Sequence, residues 1–439
     1  MTLKSKKDNP ILIFECANAH GGDLDVLLKT ITSFSSVKYN KKHIKFQPFH
    51  PDTISLDDFS WHNIYHQLKF KDTEWGEILE LAHRNYNGVW LDLFDLFGIE
   101  ILKDNFSKIT GLKLQASVLE NYELLYQLKG LDLSGIMLMI NVSGFELTEI
   151  SMFMKQFSKL NTKQSILQIG HQAYPTKIKD TGLQKIPVLK SEFKETELCV
   201  ADHVDAEHEM ATIIPLLALS SGATIIEKHI CIDRNKAEYD FYSSLELFEM
   251  NKLTERLSEY SEITTGTFIS KSEAEYLNNS IQIPVAKAPL TKGAMISKSD
   301  LFFRRTAQKG MTYQDIKNKQ KIGNILKNDI KVNTPITEED FQQANIGVIV
   351  ACRMKSSRLK QKALIEIDGE TSVERCLNNC LNMSRVSTVV LATSTVKEDA
   401  VLQDYTLNGK VKFYQGDADD VIQRYLGASK KYNIDTFIR

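Results

Sequence analysis

His203 and His229 each close a short apolar run, LCVADHV and TIIEKHI, and each stands near an acidic residue, in Asp202–His203 and Glu227–Lys228–His229. Between the runs lies a helix-like stretch, AEHEMATIIPLLALSSG, closed by Gly222. A strand–helix–strand unit predicts two parallel strands with like ends together, so both imidazoles emerge at one end of a sheet. Two neutral imidazoles there can hold a divalent metal and leave positions open for water and substrate. Such an ion would polarise a carbonyl oxygen as a Lewis acid. Each histidine taken alone is more often an ordinary one at a strand end.

Six other apolar runs end in polar side chains, and this weakens the ordinary reading. The residues at those ends are Glu15, Lys45 with Gln47, Asp92, Lys113, Asn141 with Ser143, and Gln172. Two lysines in a cavity of low dielectric favour a doubly charged anion such as phosphate. Glu15, on the first strand, is placed for proton transfer or for orienting a water. Anion, metal and carboxylate together suggest a phosphorylated substrate adding to a carbonyl.

The elements that must position these residues are legible as a repeated strand–helix rhythm. The runs ILIFECA, HIKFQPF, GVWLDLF, KLQAS, GIMLMIN and SILQIG precede the two already named, and helical spacing follows each. An aromatic-rich loop follows the second run, ahead of EWGEILELAHRNY. Eight alternations over about 250 residues fit an α/β fold, the (β/α)8 TIM barrel, which gathers its site at the carboxyl ends of the strands.

Composition excludes several alternatives. The 439 residues are 42% hydrophobic and 25% charged with a net charge of −2, which calls for neither nucleic acid nor an anionic membrane. The opening MTLKSKKDNP lacks the apolar run of a signal peptide, and six scattered cysteines form no CxxC pair or disulfide framework. A cytoplasmic location is expected.

ECANAHGGD, IKFQ, KLQAS, QAYPT, ADH and EKH, in this order and spacing, resemble the sialic acid (nonulosonic acid) synthase family. The resemblance implies a barrel over 10–264, a linker over 265–281 and a small β-rich antifreeze-like (β-clip) domain over 282–342. It also implies condensation of phosphoenolpyruvate with an N-acetylated amino sugar to give a nonulosonic acid and free phosphate. Carried over position by position, Lys45 and Lys113 would bind phosphoenolpyruvate, and Gln47, Ser143, Gln172, Tyr174 and Asp240 would line the substrate site. His203 and His229 would hold the metal, Mn2+ or Mg2+, and Glu15 would be the acid/base carboxylate. Arg305 matches an arginine that reaches the partner's active site in a domain-swapped homodimer. Its position after Arg304 equally suits a solvated edge strand.

Departures from that pattern fall at Ala19, Asp92–Leu93, Ala116, Val118, Gln172 and Ala201. Lost hydroxyls weaken phosphate contacts, and Val118 removes a sugar contact. With the lysines and histidines kept, this implies a branch using a different amino sugar, such as a bacillosamine-derived one. Within 282–342, MISKSDL (295–301) is echoed by PITEEDF (335–341), each with a hydroxyl residue three before an aspartate. The echo predicts two pseudo-symmetric halves.

The rhythm restarts at 345–439. The strand GVIVAC runs into a basic loop with Arg353, Ser356, Ser357, Arg358 and Lys362, a fit cradle for a triphosphate at the first turn of a doubly wound sheet. RMKSSRLKQK resembles the nucleotide loop of acidic-sugar cytidylyltransferases, which implies CTP as ligand. Lys355, Lys360 and Gln361 replace that loop's usual glycine, proline and glycine. The family's metal-binding aspartate would follow Arg439, so the resemblance covers the first part of that domain. The expectation is a longer chain, or a third segment that does not transfer nucleotides. Two rival readings stand beside the synthase: a non-catalytic sugar-phosphate binder, and a Schiff-base aldolase using Lys113 or Lys228.

Overall fold

The structure is a computed structural model that describes residues 9–356 and 359–439. Two compact units divide the chain, one ending at Phe268 and the other spanning Ile269–Arg439. No described helix is long and apolar enough to cross a membrane.

The first unit is a closed parallel barrel of eight strands in sequential order. They are β1 (Ile11–Glu15), β2 (Lys42–Phe46), β3 (Gly88–Leu93), β4 (Gly111–Leu114), β5 (Met137–Asn141), β6 (Gln164–Ile169), β7 (Glu197–Asp202) and β8 (Ile225–His229). Alternation along each strand sorts its side chains. Leu12 and Phe14, Ile44 and Phe46, Leu112 and Leu114, and Leu138 and Ile140 pack outward against the helices in one large core. The alternate residues point into the barrel, where the lower part is apolar: Ile13, Trp90, Met137, Met139, Ile166, Cys199 and Ile225. Polar residues occupy the upper interior.

His43 closes the base. Its Nδ1 accepts from Trp90 Nε1 at 2.9 Å, so that nitrogen must be unprotonated. A Cβ at Gly88 would lie 2.6 Å from His43 Nδ1, and one at Gly111 would lie 2.4 Å from the Trp90 ring, so both glycines are needed for space. Burial holds the His43 imidazole down to about 4, helped by Lys41. The folded state therefore resists a proton that the unfolded chain accepts. Stability from this group should be complete above about pH 6.5 and lost as pH falls, reaching about 3 kcal/mol by pH 4. Urea unfolding of His43→Gln against wild type should show that pH-dependent difference.

Two elements differ from expectation. The stretch before β8 is split into a turn at Glu209–Thr212 and a helix at Ile214–Ser221, because Pro215 can sit only in a helix's first turn. The aromatic-rich loop after β2 holds two short helices, Pro51–Ile54 and His62–Leu68.

In the second unit, Ser297 and Thr337 each form a reciprocal capping box with an aspartate three residues on. Asp300 and Asp340 then accept equivalent backbone bonds, from Lys287 and Lys327, both at 2.8 Å. Each turn leads into a strand of a two-stranded antiparallel pair, Ile283–Ala286 with Leu301–Arg304 and Asn324–Leu326 with Phe341–Gln343. The sequence echo is thus a structural repeat. Beyond it, four parallel strands order as Lys412–Gly416, Thr388–Ser394, Ile346–Ala351 and Thr436–Ile438. Val348, Val389 and Leu391 pack with the helix Ser372–Leu381, and Ile349, Val390 and Ala392 with the helix Val421–Lys431. That is double winding.

Candidate active site

Inward alternation brings Glu15, Lys45, Asp92, Lys113 and Glu227 together at the top of the barrel interior, all essentially without solvent. Lys45 Nζ lies 2.6 Å from Glu15 Oε2, 2.8 Å from Glu227 Oε2 and 3.5 Å from Asp92 Oδ2. Lys113 Nζ lies 2.9 Å from Glu227 Oε1 and 3.3 Å from Asp92 Oδ2. Gln168 donates to Glu227 at 2.8 Å and Gln115 to Asp92 at 2.7 Å. Glu15 also accepts from the Ala17 N–H at 2.8 Å, which fixes its carboxylate.

Charge is closely balanced here. Burial pulls the Lys113 ammonium down, but Asp92 and Glu227 outweigh it and hold the group well above its ordinary value. Burial leaves Lys45 at about 8, with Glu227 opposing and the like charge of Lys113 assisting. Burial raises Glu227, yet the two lysines together hold it well below the usual carboxylate range. Two lysines here face three carboxylates.

His229 ends β8, and His203 directly follows β7; their ring centroids are 5.0 Å apart. His203 Nδ1 lies 3.0 Å from the His171 carbonyl, which can only accept, so Nδ1 carries the proton and Nε2 keeps a free lone pair. His229 Nδ1 is buried with no hydrogen-bond partner. Burial holds His203 down to about 3, and burial with His203 holds His229 well below its ordinary value. Two neutral imidazoles, one orphaned nitrogen and nearby carboxylates make a donor set that fits a divalent metal. Tyr174 stacks edge-on at 4.8 Å from His203 and tilts at 5.4 Å from His229.

The remaining expected residues are placed around this centre. Gln172 donates to Gln115, which ties it to Asp92. Gln47 follows β2 two residues after Lys45 and is half-buried. Ser143 has its hydroxyl occupied, donating to the Gly170 carbonyl at 2.8 Å and accepting from the Gly170 N–H at 3.0 Å. Asp240 is bonded to Asn18 through its backbone and side-chain nitrogens, at 3.1 and 3.0 Å, and burial raises its carboxyl. Val118 packs in the apolar core, so a polar group there would face helices and not a ligand.

Lys228 points outward from β8 and pairs with Asp202 at 2.9 Å. Lys228 thus lies behind the sheet, whereas Lys113 is inside the barrel and paired with Glu227 and Asp92. Glu227, missed as a site residue, was signalled by its place two residues before His229 on the same strand face. Asp92 stood out both as a polar strand end and as a departure from the family pattern, and Gln168 carried no signal beyond inward alternation.

In the second unit Arg305 is exposed and donates to the Ser280 carbonyl at 2.9 Å. Arg353 donates to the Ala418 carbonyl at 2.5 Å. A cleft of about 550 Å³ is lined by Arg353, Lys355, Ser356, Lys362, Asp419 and Arg424. Ser357 and Arg358 lie outside the described residues. Gln361 takes φ +50°, the left-handed conformation for which its glycine counterpart is suited.

Residues 30–268, more than half of the chain, match the NeuB family. The chain belongs to the NeuB family. The NeuB match spans seven of the eight barrel strands and takes in Lys45, Lys113 and both histidines. A cytidylyltransferase family matches residues 347–439. N,N'-diacetyllegionaminic acid synthase of Campylobacter jejuni is 25% identical, over 70% of this chain and 93% of its own. Pseudaminic acid synthase of the same species is 24% identical, over 75% and 96%. The crystal structure of N-acetylneuraminic acid synthetase from Leptospira borgpetersenii is 25% identical, with a TM-score of 0.54 over 64% of this chain and 97% of its own.

Proposed function

We propose that this NeuB-family chain condenses phosphoenolpyruvate with the open-chain aldehyde of a 2-acetamido amino sugar, giving a nonulosonic acid and free phosphate. The observation that carries this reading is the pair of buried lysines set beside a buried imidazole pair in one barrel mouth. Relatives named as legionaminic and pseudaminic acid synthases support the substrate class.

Lys45 and Lys113 exchange part of their carboxylate contacts for the phosphate and carboxylate of phosphoenolpyruvate. Tyr174, Gln172, Gln47 and Asp240 orient the sugar, and Ser143 holds the loop after β5 against Gly170. Glu15, fixed by Ala17 and Lys45, is the group placed to hold a proton at the reacting carbons. C3 of the enol attacks C1 of the sugar, water adds at C2, and the tetrahedral intermediate loses phosphate. A divalent ion held by His203 and His229 would polarise the sugar aldehyde.

Phosphate release that depends on both substrates tests the reading. Phosphoenolpyruvate left intact with every 2-acetamido sugar would favour a binding protein, and borohydride trapping of pyruvate on a lysine would favour an aldolase. Removing Lys45 or Lys113 should raise KM for phosphoenolpyruvate about tenfold or more, for a charged hydrogen bond of about 1.5–3 kcal/mol. KM for the sugar should move less, and equal effects would count against the assignment.

Arg305 would complete the site of a partner subunit in a homodimer. Mixing Arg305→Ala with Glu15→Ala subunits should then restore some activity, because one site regains both residues; no rescue despite subunit exchange would refute it. For the second unit the corresponding reading is weak CTP binding through Arg353 and Lys362, with Ser357 and Arg358 of the same loop. Titration with CTP should show binding lost in Arg353→Ala.

A further inference from the structure

A second cluster of metal-binding side chains stands apart from the barrel imidazoles, in the two short helices after β2. His62 and His66 are four residues apart on the helix His62–Leu68, so they share one face. Their Nε2 atoms are 3.2 Å apart. Asp52, on the helix Pro51–Ile54, places Oδ1 3.4 Å from His66 Nε2 and 3.9 Å from His62 Nε2. Asp57 adds Oδ1 at 3.4 Å from His62 Nε2.

These spacings suit a tetrahedral ion, whose bonds of about 2.0–2.1 Å set its ligand atoms roughly 3.3 Å apart. Ser55 Oγ donates to the Pro51 carbonyl at 3.4 Å and lies 3.0 Å from His62 Nδ1. A bond from Nδ1–H to this hydroxyl would leave Nε2 with its lone pair facing the cluster. Among the described residues this is the one group of three or more such side chains within metal-binding reach.

We propose that Asp52, His62 and His66 form a second metal site for a divalent ion of zinc type. Two imidazoles and one carboxylate at these spacings select zinc over magnesium or calcium, which take more oxygen ligands. The ion would tie the helix Pro51–Ile54 to the helix His62–Leu68. That second helix also carries Gln67, which accepts from the Tyr239 hydroxyl at 3.2 Å beside Asp240. The site is thus a clip on the rim of the barrel, separate from the reacting centre.

The test is zinc uptake by the full chain carrying His203→Ala and His229→Ala. One equivalent of Zn2+ should remain bound after desalting, and Co2+ in its place should give the visible absorption of a tetrahedral ion. Adding His66→Gln or Asp52→Asn, both at partly exposed positions, should weaken binding by more than the roughly 10–100-fold that losing an outer-shell partner costs. Zn2+ should raise Tm in the parent and not in those variants. If the barrel variant does not fold, wild type gives the same answer, since His66→Gln should remove one equivalent of zinc. No zinc-type uptake, or uptake unchanged by His66→Gln and Asp52→Asn, would overturn the proposal.

Discussion

His203→Ala or His229→Ala should lower kcat by about a thousandfold, the share of several kcal/mol that a Lewis acid contributes to a developing alkoxide. The fold should survive, because both side chains sit at the open end of the barrel and neither imidazole supports the helices. His203 has one fixed partner, the His171 carbonyl, and His229 Nδ1 has none. An unpartnered buried nitrogen costs stability unless a ligand completes it. His229→Ala should therefore leave Tm of the metal-free protein unchanged or raised while removing turnover. Full activity in either variant, or after exhaustive chelation, would refute the role given to the pair.

Glu227→Gln should have the largest effect on stability. Glu227 is the one carboxylate that contacts both lysines within 3 Å, and it also accepts from Gln168. Removing one partner of a buried ion pair costs about 3–5 kcal/mol because the other charge is left uncompensated. Glu15 and Asp92 remain as partners, so the lower end, about 3 kcal/mol, is expected. Urea unfolding measures it. Substitution of Ser143, at the loop edge, should cost far less, and equal losses would remove Glu227 from the centre of the network.

Much of this site was legible because a parallel barrel writes its two faces separately. Leu12 and Phe14 announce the helix side of β1, and Glu15 interrupts the pattern on the other face. The same break in alternation marks Lys45, Asp92 and Lys113. His203 and His229 drew attention by residue type, whereas Glu227 was passed over although it shares the inward face of β8. What period cannot show is which partner each charge selects across the barrel. Lys113 and Glu227 are 114 positions apart and meet only through closure of the sheet. Val118 had the right offset from Lys113 for a ligand contact, but the turn after β4 rotates it into the core. The helices after β2 were hidden because aromatic residues on several faces blur a short helical period, and the His62–Asp52 cluster was hidden with them.

The most direct test of the synthase reading uses phosphoenolpyruvate carrying 18O in the bridge between C2 and phosphorus, with a divalent ion and a panel of 2-acetamido sugars. The account predicts phosphate release only when a suitable sugar is present, one phosphate for each nine-carbon acid formed, with the label in the phosphate. Label retained in the organic product, or phosphate released equally without sugar, would contradict it.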